Sequence, residues 1–347
     1  MLASRSVFRA FAAGDFAAFL DAREHARLDA LASALPFAVQ AHGLELKLWE
    51  GGAHADYLAC LDDAPQTVES VRAFVASPSA VETYLKSWGS ASSAQRRRFP
   101  QLWLEWDRPD GEAASAPGLF LAPAPSRRRL VPGAALRGAL RVLYPERAAR
   151  RAEAWIARVA ALLPPGARLR HLGAMPGRDP DLLRLVLEDV PPARLPPLLR
   201  RLGWPGDLGA LERALAETTA GAGFPPTLVD LDLLEAPSPK LGLEFLLVGA
   251  HRPEDGGRRL LDHLLERGWV SPEKAGALAR WLGWEVRDAP EGPGALWGKL
   301  YHVKLSLSPS VRAKAYLGFF GGPSARGLST LHDALRAKLW HAPARHS

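Results

Sequence analysis

Leu228-Val-Asp-Leu-Asp-Leu233, followed by Ala236-Pro-Ser-Pro239 and Lys240-Leu-Gly-Leu-Glu-Phe-Leu246, decides how this chain is read. Strict alternation of apolar and polar residues marks a strand with one buried face, and the Pro-Ser-Pro segment is turn chemistry. The stretch therefore predicts a β-hairpin with leucines on one face and Asp230, Asp232, Lys240 and Glu244 on the other.

Four more pairs follow the same plan. They are Leu44–Trp49 with Asp56–Leu61, Gln101–Trp106 with Gly118–Ala122, Arg168–Leu172 with Leu182–Glu188, and Tyr301–Leu307 with Ala313–Phe320. Helical spacing follows each pair: Val68–Trp88 with a break at Ser77-Pro78, Ala134–Leu163, and a last helix over Leu328–Trp340. Leu199-Arg-Arg-Leu-Gly-Trp204 before Gly209-Ala-Leu-Glu-Arg213 matches Leu265-Glu-Arg-Gly-Trp269 before Gly276-Ala-Leu-Ala-Arg280. The match is an internal repeat of roughly 50 to 60 residues. We read residues 1–35 as an N-terminal helical segment and 36–347 as one repeat-built domain, with units near 40–95, 96–165, 166–222, 223–290 and 295–345.

The fold class is thus α+β: five ββα(α) repeats whose ten antiparallel strands form a barrel, or a strongly curved sheet, surrounded by helices. Closing the ring removes the strand edges, and ten strands leave more space than side chains fill.

With 347 residues, 48% of them hydrophobic, the chain buries a large core. One cysteine excludes a disulfide framework and fits a reducing, cytoplasmic setting. Apolar runs stay short of the roughly 18 residues a membrane span needs, and Asp15 interrupts the N-terminal segment where a signal peptide would be apolar. The net charge of +7 is spread along the chain. Only Arg96–Arg98 and Arg127–Arg129 are dense, and both read as solvated loop charge, so neither nucleic acid nor a membrane is the expected partner. The ten histidines lack the HExxH spacing of a zinc site, and no metal is expected. GxSxG, P-loop and GxGxxG motifs are absent as well.

Alternation assigns lumen residues strand by strand. Glu45, Lys47 and Trp49 face inward, as do Trp103, Glu105, Phe120, Arg168, Arg170, Arg184 and Glu188. Asp230, Asp232, Lys240, Glu244, His302, Lys304, Ser306, Lys314, Tyr316 and Phe320 complete the set, with Tyr57 inward and Cys60 outward. Four of the eight lysines fall on inward strand positions. An open sheet's solvated face shows the same alternation, but a barrel makes these residues a polar cavity with aromatic walls. Seven inward cations against six inward acids suit a peptide or zwitterion better than a bare anion. Asp230-x-Asp232 reads as alternating strand acids, and Trp204, Trp269, Trp281 and Trp284 as packing at helix junctions; Trp49 and Trp103 are the tryptophans expected to meet ligand.

Lys314-Ala-Tyr316 and His302-Val-Lys304, set in this five-unit plan, resemble the ABBA or PT-barrel fold of aromatic prenyltransferases over about residues 40–340. That resemblance implies diphosphate held by Lys47, Arg170, Lys304 and Lys314, a prenyl cation shielded by Tyr316, and an acceptor oriented by Glu105. It implies no cofactor: prenyl diphosphate would be a substrate, with magnesium not required. Tyr301-His-Val-Lys304 and Ala313-Lys-Ala-Tyr-Leu-Gly-Phe319 also resemble non-catalytic peptide-binding proteins of ribosomal-peptide natural-product pathways, of the crocagin type. That likeness implies no catalytic residue and two partners, a precursor peptide and a modifying enzyme of the same pathway. The lumen residues above would then select the peptide. The inward acids favour this binding function, with the prenyltransferase as the alternative.

Overall fold

A computed structural model describes residues 2–3, 10–11, 16–34, 38–39, 41–49, 51–61, 79–90, 94–107, 117–124, 133–247, 254–288, 295–307 and 310–322. Ten strands form the ring: β1 (Ala41–Lys47), β2 (Ala55–Leu61), β3 (Gln101–Trp106), β4 (Gly118–Ala122), β5 (Arg168–Ala174), β6 (Leu183–Glu188), β7 (Leu228–Leu233), β8 (Pro237–Leu246), β9 (Ala295–Leu307) and β10 (Val311–Gly322). Each pairs antiparallel with the next in sequence. The ring closes where β10 returns to β1, from Lys314 opposite Lys47 to Phe320 opposite Ala41. The barrel thus has no open edge along its paired length. A short strand, Glu285–Asp288, adds to the start of β9 outside the ring, which the hairpin pattern did not predict.

Among the described residues nine α-helices surround the barrel. They are α1 (Ala22–Ala34), α2 (Ala80–Gly89), α3 (Ala94–Arg98), α4 (Ala134–Leu143), α5 (Glu146–Leu162), α6 (Leu195–Leu202), α7 (Leu208–Ala222), α8 (Glu254–Glu266) and α9 (Pro272–Ala279). The outward strand leucines, such as Leu44, Leu46, Leu102, Leu104, Leu185 and Leu187, are buried between ring and helices. None of these helices is long and apolar enough to cross a membrane.

The internal repeat has a backbone counterpart. Gly203 and Gly268, both at positive φ, end α6 and α8, and the following tryptophans reach back five residues: Trp204 N–H donates to Leu199 O (3.0 Å) and Trp269 N–H to Leu264 O (2.9 Å). Only glycine takes that left-handed turn without strain. Asp207 and Ser271 then cap α7 and α9 by accepting from Ala210 N and Lys274 N.

Several sequence expectations change. The predicted helix Ala134–Leu163 is two helices, because Pro145 follows the extended Tyr144. Arg96–Arg98 lie in α3 rather than a loop. In β2 the faces are reversed: Asp56 pairs with inward Glu45, so Asp56, Leu58 and Cys60 face the lumen while Tyr57 packs outward with Leu44 and Leu46. Residues 62–78, Arg127–Arg129 and Leu328–Trp340 lie outside the described residues.

One buried cation ties a helix to the ring. Lys274 of α9 donates to the carbonyls of Lys47 (2.9 Å), Trp49 (3.0 Å) and Gly52 (2.7 Å), around the β1–β2 turn. Lys274→Met leaves these acceptors without their donor and is expected to lower stability by about 2–4 kcal/mol in urea unfolding. Lys86→Met, at a half-exposed i,i+4 pair with Glu82, is expected to cost less than about 0.5 kcal/mol.

Candidate functional site

The ring surrounds an open cavity whose empty space, open solvent included, is about 940 Å³. Trp103, Glu105, Phe120, Arg170, Arg184, Asp230, Glu244, His302, Lys304, Tyr316 and Phe320 line it, all of them assigned inward by alternation. Asp232, Lys240, Lys47 and Lys314 face the same interior without lining the cavity. Trp49 does not line it: β1 ends at Lys47, and the Trp49 ring lies 5.2 Å from the Arg312 guanidinium. Arg168 is also displaced, pairing with Asp189 (2.5 Å) and Glu188 (3.5 Å) at the end of β5.

Among the lining residues that alternation misses, His171 and Tyr301 share one reason. Each sits at a β-bulge, where the register shifts between Leu169 and His171 and between Leu300 and His302. A bulge puts two consecutive side chains on one face, so Arg170 with His171, and Tyr301 with His302, both enter the lumen. Arg178 was also missed. It belongs to the β5–β6 turn, yet its guanidinium binds Asp107 and lies 2.9 Å from Glu105.

The polar part of the lumen is a set of ion pairs. Lys304 binds Asp230 and stands 3.5 Å from Glu244; Lys314 and the Tyr316 hydroxyl both donate to Glu45. Arg184 grips Asp232 with two bonds, 2.6 and 2.8 Å. Lys240 has no ion pair among the described residues. Burial, with Arg184 and Lys304 nearby, pulls its pKa down to about 8. His302 stacks on Tyr316 with ring centroids 3.9 Å apart. Burial and Lys304 lower His302 to about 3, so the imidazole is neutral.

The acids form three carboxyl pairs, in each of which one member is raised and the other lowered. Burial and then Glu45 push Asp56 up to about 7, while Lys314 and Lys304 hold Glu45 low against its own burial. Burial and Asp107 raise Glu105, while Glu105 and Arg178 keep Asp107 ionised against burial. Burial and Asp230 push Glu244 up to about 8; Lys304 and Arg184 hold Asp230 low despite burial. Near neutral pH the lumen therefore carries fewer negative charges than its acids suggest, and cations outnumber ionised carboxylates. Glu45, Asp56 and Glu105 also bring one oxygen each within 4.8 Å, a spacing that would admit a metal ion. Lys314 and Arg178 already occupy that cluster's charge.

Solved structures similar to this chain are aromatic prenyltransferases. It matches 5-dimethylallyltryptophan synthase from Streptomyces coelicolor with a TM-score of 0.50 at 16% identity, over 90% of this chain and 94% of that one. It matches PriB, solved as a binary complex with product diphosphate, with a TM-score of 0.51 at 15% identity over 91% and 93% of the two chains. AnaPT from Neosartorya fischeri gives a TM-score of 0.53 at 12% identity over 86% and 88%. No protein-family model and no curated protein matches the sequence. The likeness is one of fold, and the closed ten-strand ring with helices outside is the PT-barrel.

The carboxyl pairs predict a pH dependence. Glu244 keeps its proton up to about pH 8 when folded and releases it at ordinary carboxylate pH when unfolded. The folded state thus binds the extra proton, and its contribution to stability is lost as pH rises through the folded value. Between about pH 7 and 8, unfolded histidine is mostly neutral and the lowered acids are ionised in both states; Asp56, raised to about 7, adds to the fall, and Lys240, lowered to about 8, opposes it only towards the top of the window. Melting temperature is expected to fall across that window, by up to about 1.4 kcal/mol of stability per pH unit for one proton. Glu244→Gln, fixed in the neutral form, is expected to flatten the slope in calorimetric scans; an unchanged slope contradicts the assignment.

Proposed function

We propose that the lumen binds a prenyl diphosphate beside an aromatic acceptor and joins the two. The observation that carries this reading is one cavity in which cations and aromatic walls face each other. Lys304, Arg184 and Arg170 share it with Trp103, Phe120, Tyr301 and Phe320. In this reading Lys304 and Arg170, with Lys47 and Lys314 beside them, hold the diphosphate as the allylic C–O bond breaks and the electron pair leaves with it. Fixed cations in a desolvated site stabilise that developing charge strongly. Tyr316 shields the allylic cation, and Glu105 orients the acceptor. The ring forms the new C–C bond and then gives its proton to the released diphosphate. Lysine and arginine supply the positive charge, so magnesium is not required. The fold shared with 5-dimethylallyltryptophan synthase, and with PriB bearing diphosphate, supports the same reading.

A second reading, that of a non-catalytic protein holding a precursor peptide for a partner enzyme, is favoured by one observation. Lys304, Lys314, Arg184 and Arg178 each already hold a carboxylate. An anion must exchange with those partners, whereas a peptide would use both signs.

Calorimetric titration with dimethylallyl and geranyl diphosphate, with and without magnesium, separates the two. The transferase reading predicts micromolar binding that does not need magnesium and falls at least ~10-fold in Lys304→Ala. Absence of binding to the folded protein contradicts it and leaves the peptide reading.

A further inference from the structure

Closing the ring removes strand edges, yet the chain adds one back. β9 pairs with β8 only from His302 to Leu307; from Ala295 to Gly298, before the bulge, the short strand Glu285–Asp288 takes that place. Among the described residues no strand pairs with its other edge. Val286, Arg287 and Asp288 are exposed, and Val286, at 42%, is one of two large apolar side chains left so among those residues.

The strand is anchored on the ring at both ends. Trp284, just before it, packs edge-on against Trp297 and Phe320 with ring centroids 6.4 and 6.2 Å away, and the Arg287 guanidinium lies 5.6 Å from the Phe11 ring. The outer edge of such a strand is a template for pairing with another chain.

Charge normally blunts an edge of this kind, and here it selects a partner. Alternation puts Glu285 and Arg287 on one face, 4.0 Å apart, and Val286 with Asp288 on the other. When a strand pairs antiparallel with its own copy about a two-fold axis, the register is centred on one residue facing itself. Centred on Glu285, Arg287 or Asp288, like charges meet at the axis. Centred on Val286, the exposed valines meet there, and on either side of them Glu285 faces Arg287 of the second copy. The four-residue strand is thus self-complementary in one symmetric register only.

We propose that the Glu285–Asp288 edge is a homodimer interface, at which two copies of this chain pair antiparallel about Val286. The occupant is a second copy rather than a foreign strand because both halves of the charge pattern come from one sequence. Nothing in this pairing depends on what the lumen binds.

Sedimentation equilibrium on the full chain, at up to about 100 μM, tests it with charge reversals. The unmodified protein is expected to dimerise. Affinity is expected to fall at least ~10-fold in Glu285→Arg, which sets arginine against arginine, and in Arg287→Glu, which sets glutamate against glutamate. Mixed in equal amounts, the two variants are expected to regain the dimer, because each supplies the sign the other lacks. Loss through a merely structural role would not be rescued by mixing. Thermal melts verify folding. If Arg287→Glu, which also loses the Phe11 contact, does not melt cooperatively, Val286→Lys and Val286→Glu repeat the design at the axis: each alone opposes like charges, and the mixture pairs opposite ones. A monomer at every concentration overturns the interface and leaves the edge to a strand of another protein. A dimer that no reversal weakens overturns it too, as does a mixture of folded variants that stays monomeric.

Discussion

The return of β10 onto β1 is the constraint on which the rest depends. With that pairing the lumen is walled on every side by backbone whose hydrogen bonds are spent on neighbours, and its side chains lose most of their water. Charges in such a space cost several kcal/mol each unless paired. The pairing of Lys304 with Asp230, Arg184 with Asp232 and Lys314 with Glu45 follows directly. So do the raised Asp56, Glu105 and Glu244, since two carboxylates in a desolvated site cannot both ionise cheaply.

This electrostatic arrangement gives the site its character. The lumen's cations are held by internal partners, and an anionic ligand must offer each of them something better than a carboxylate. Displaced carboxylates have a route open to them: they take up a proton, as their neighbours Asp56, Glu105 and Glu244 already do. The aromatic side of the cavity makes no such demand. Trp103, Phe120, Tyr301 and Phe320 offer faces and edges to an apolar or aromatic group. A ligand with a charged head and an unsaturated tail satisfies both halves at once.

Most of the ring was legible in the sequence because its strands alternate cleanly. Leu228–Leu233 and Lys240–Leu246 show their faces without help from the structure, and the lumen positions of Asp230, Glu244, His302 and Lys304 follow. The failures have physical causes. Tyr57, Leu58, Ala59, Cys60 and Leu61 are all apolar, so β2 has no parity of its own and takes its faces from pairing with β1. His171 and Tyr301 enter through bulges, where one extra residue breaks the period of two. Arg178 comes from a turn that folds back toward Glu105 and Asp107, a long-range contact that local pattern does not encode. The meeting of Lys314 and Tyr316 with Glu45 exists only once β10 is known to lie beside β1.

The most direct test is mass spectrometry of the products formed when the protein is incubated with dimethylallyl diphosphate and either tryptophan or a tryptophan-containing peptide. The account predicts an acceptor heavier by one dimethylallyl group in place of a hydrogen, with diphosphate released in equal amount and a slower reaction in Glu105→Gln. Intact diphosphate ester and unmodified acceptors across that set, with the protein folded, would contradict it and identify the barrel as a holder rather than a transferase.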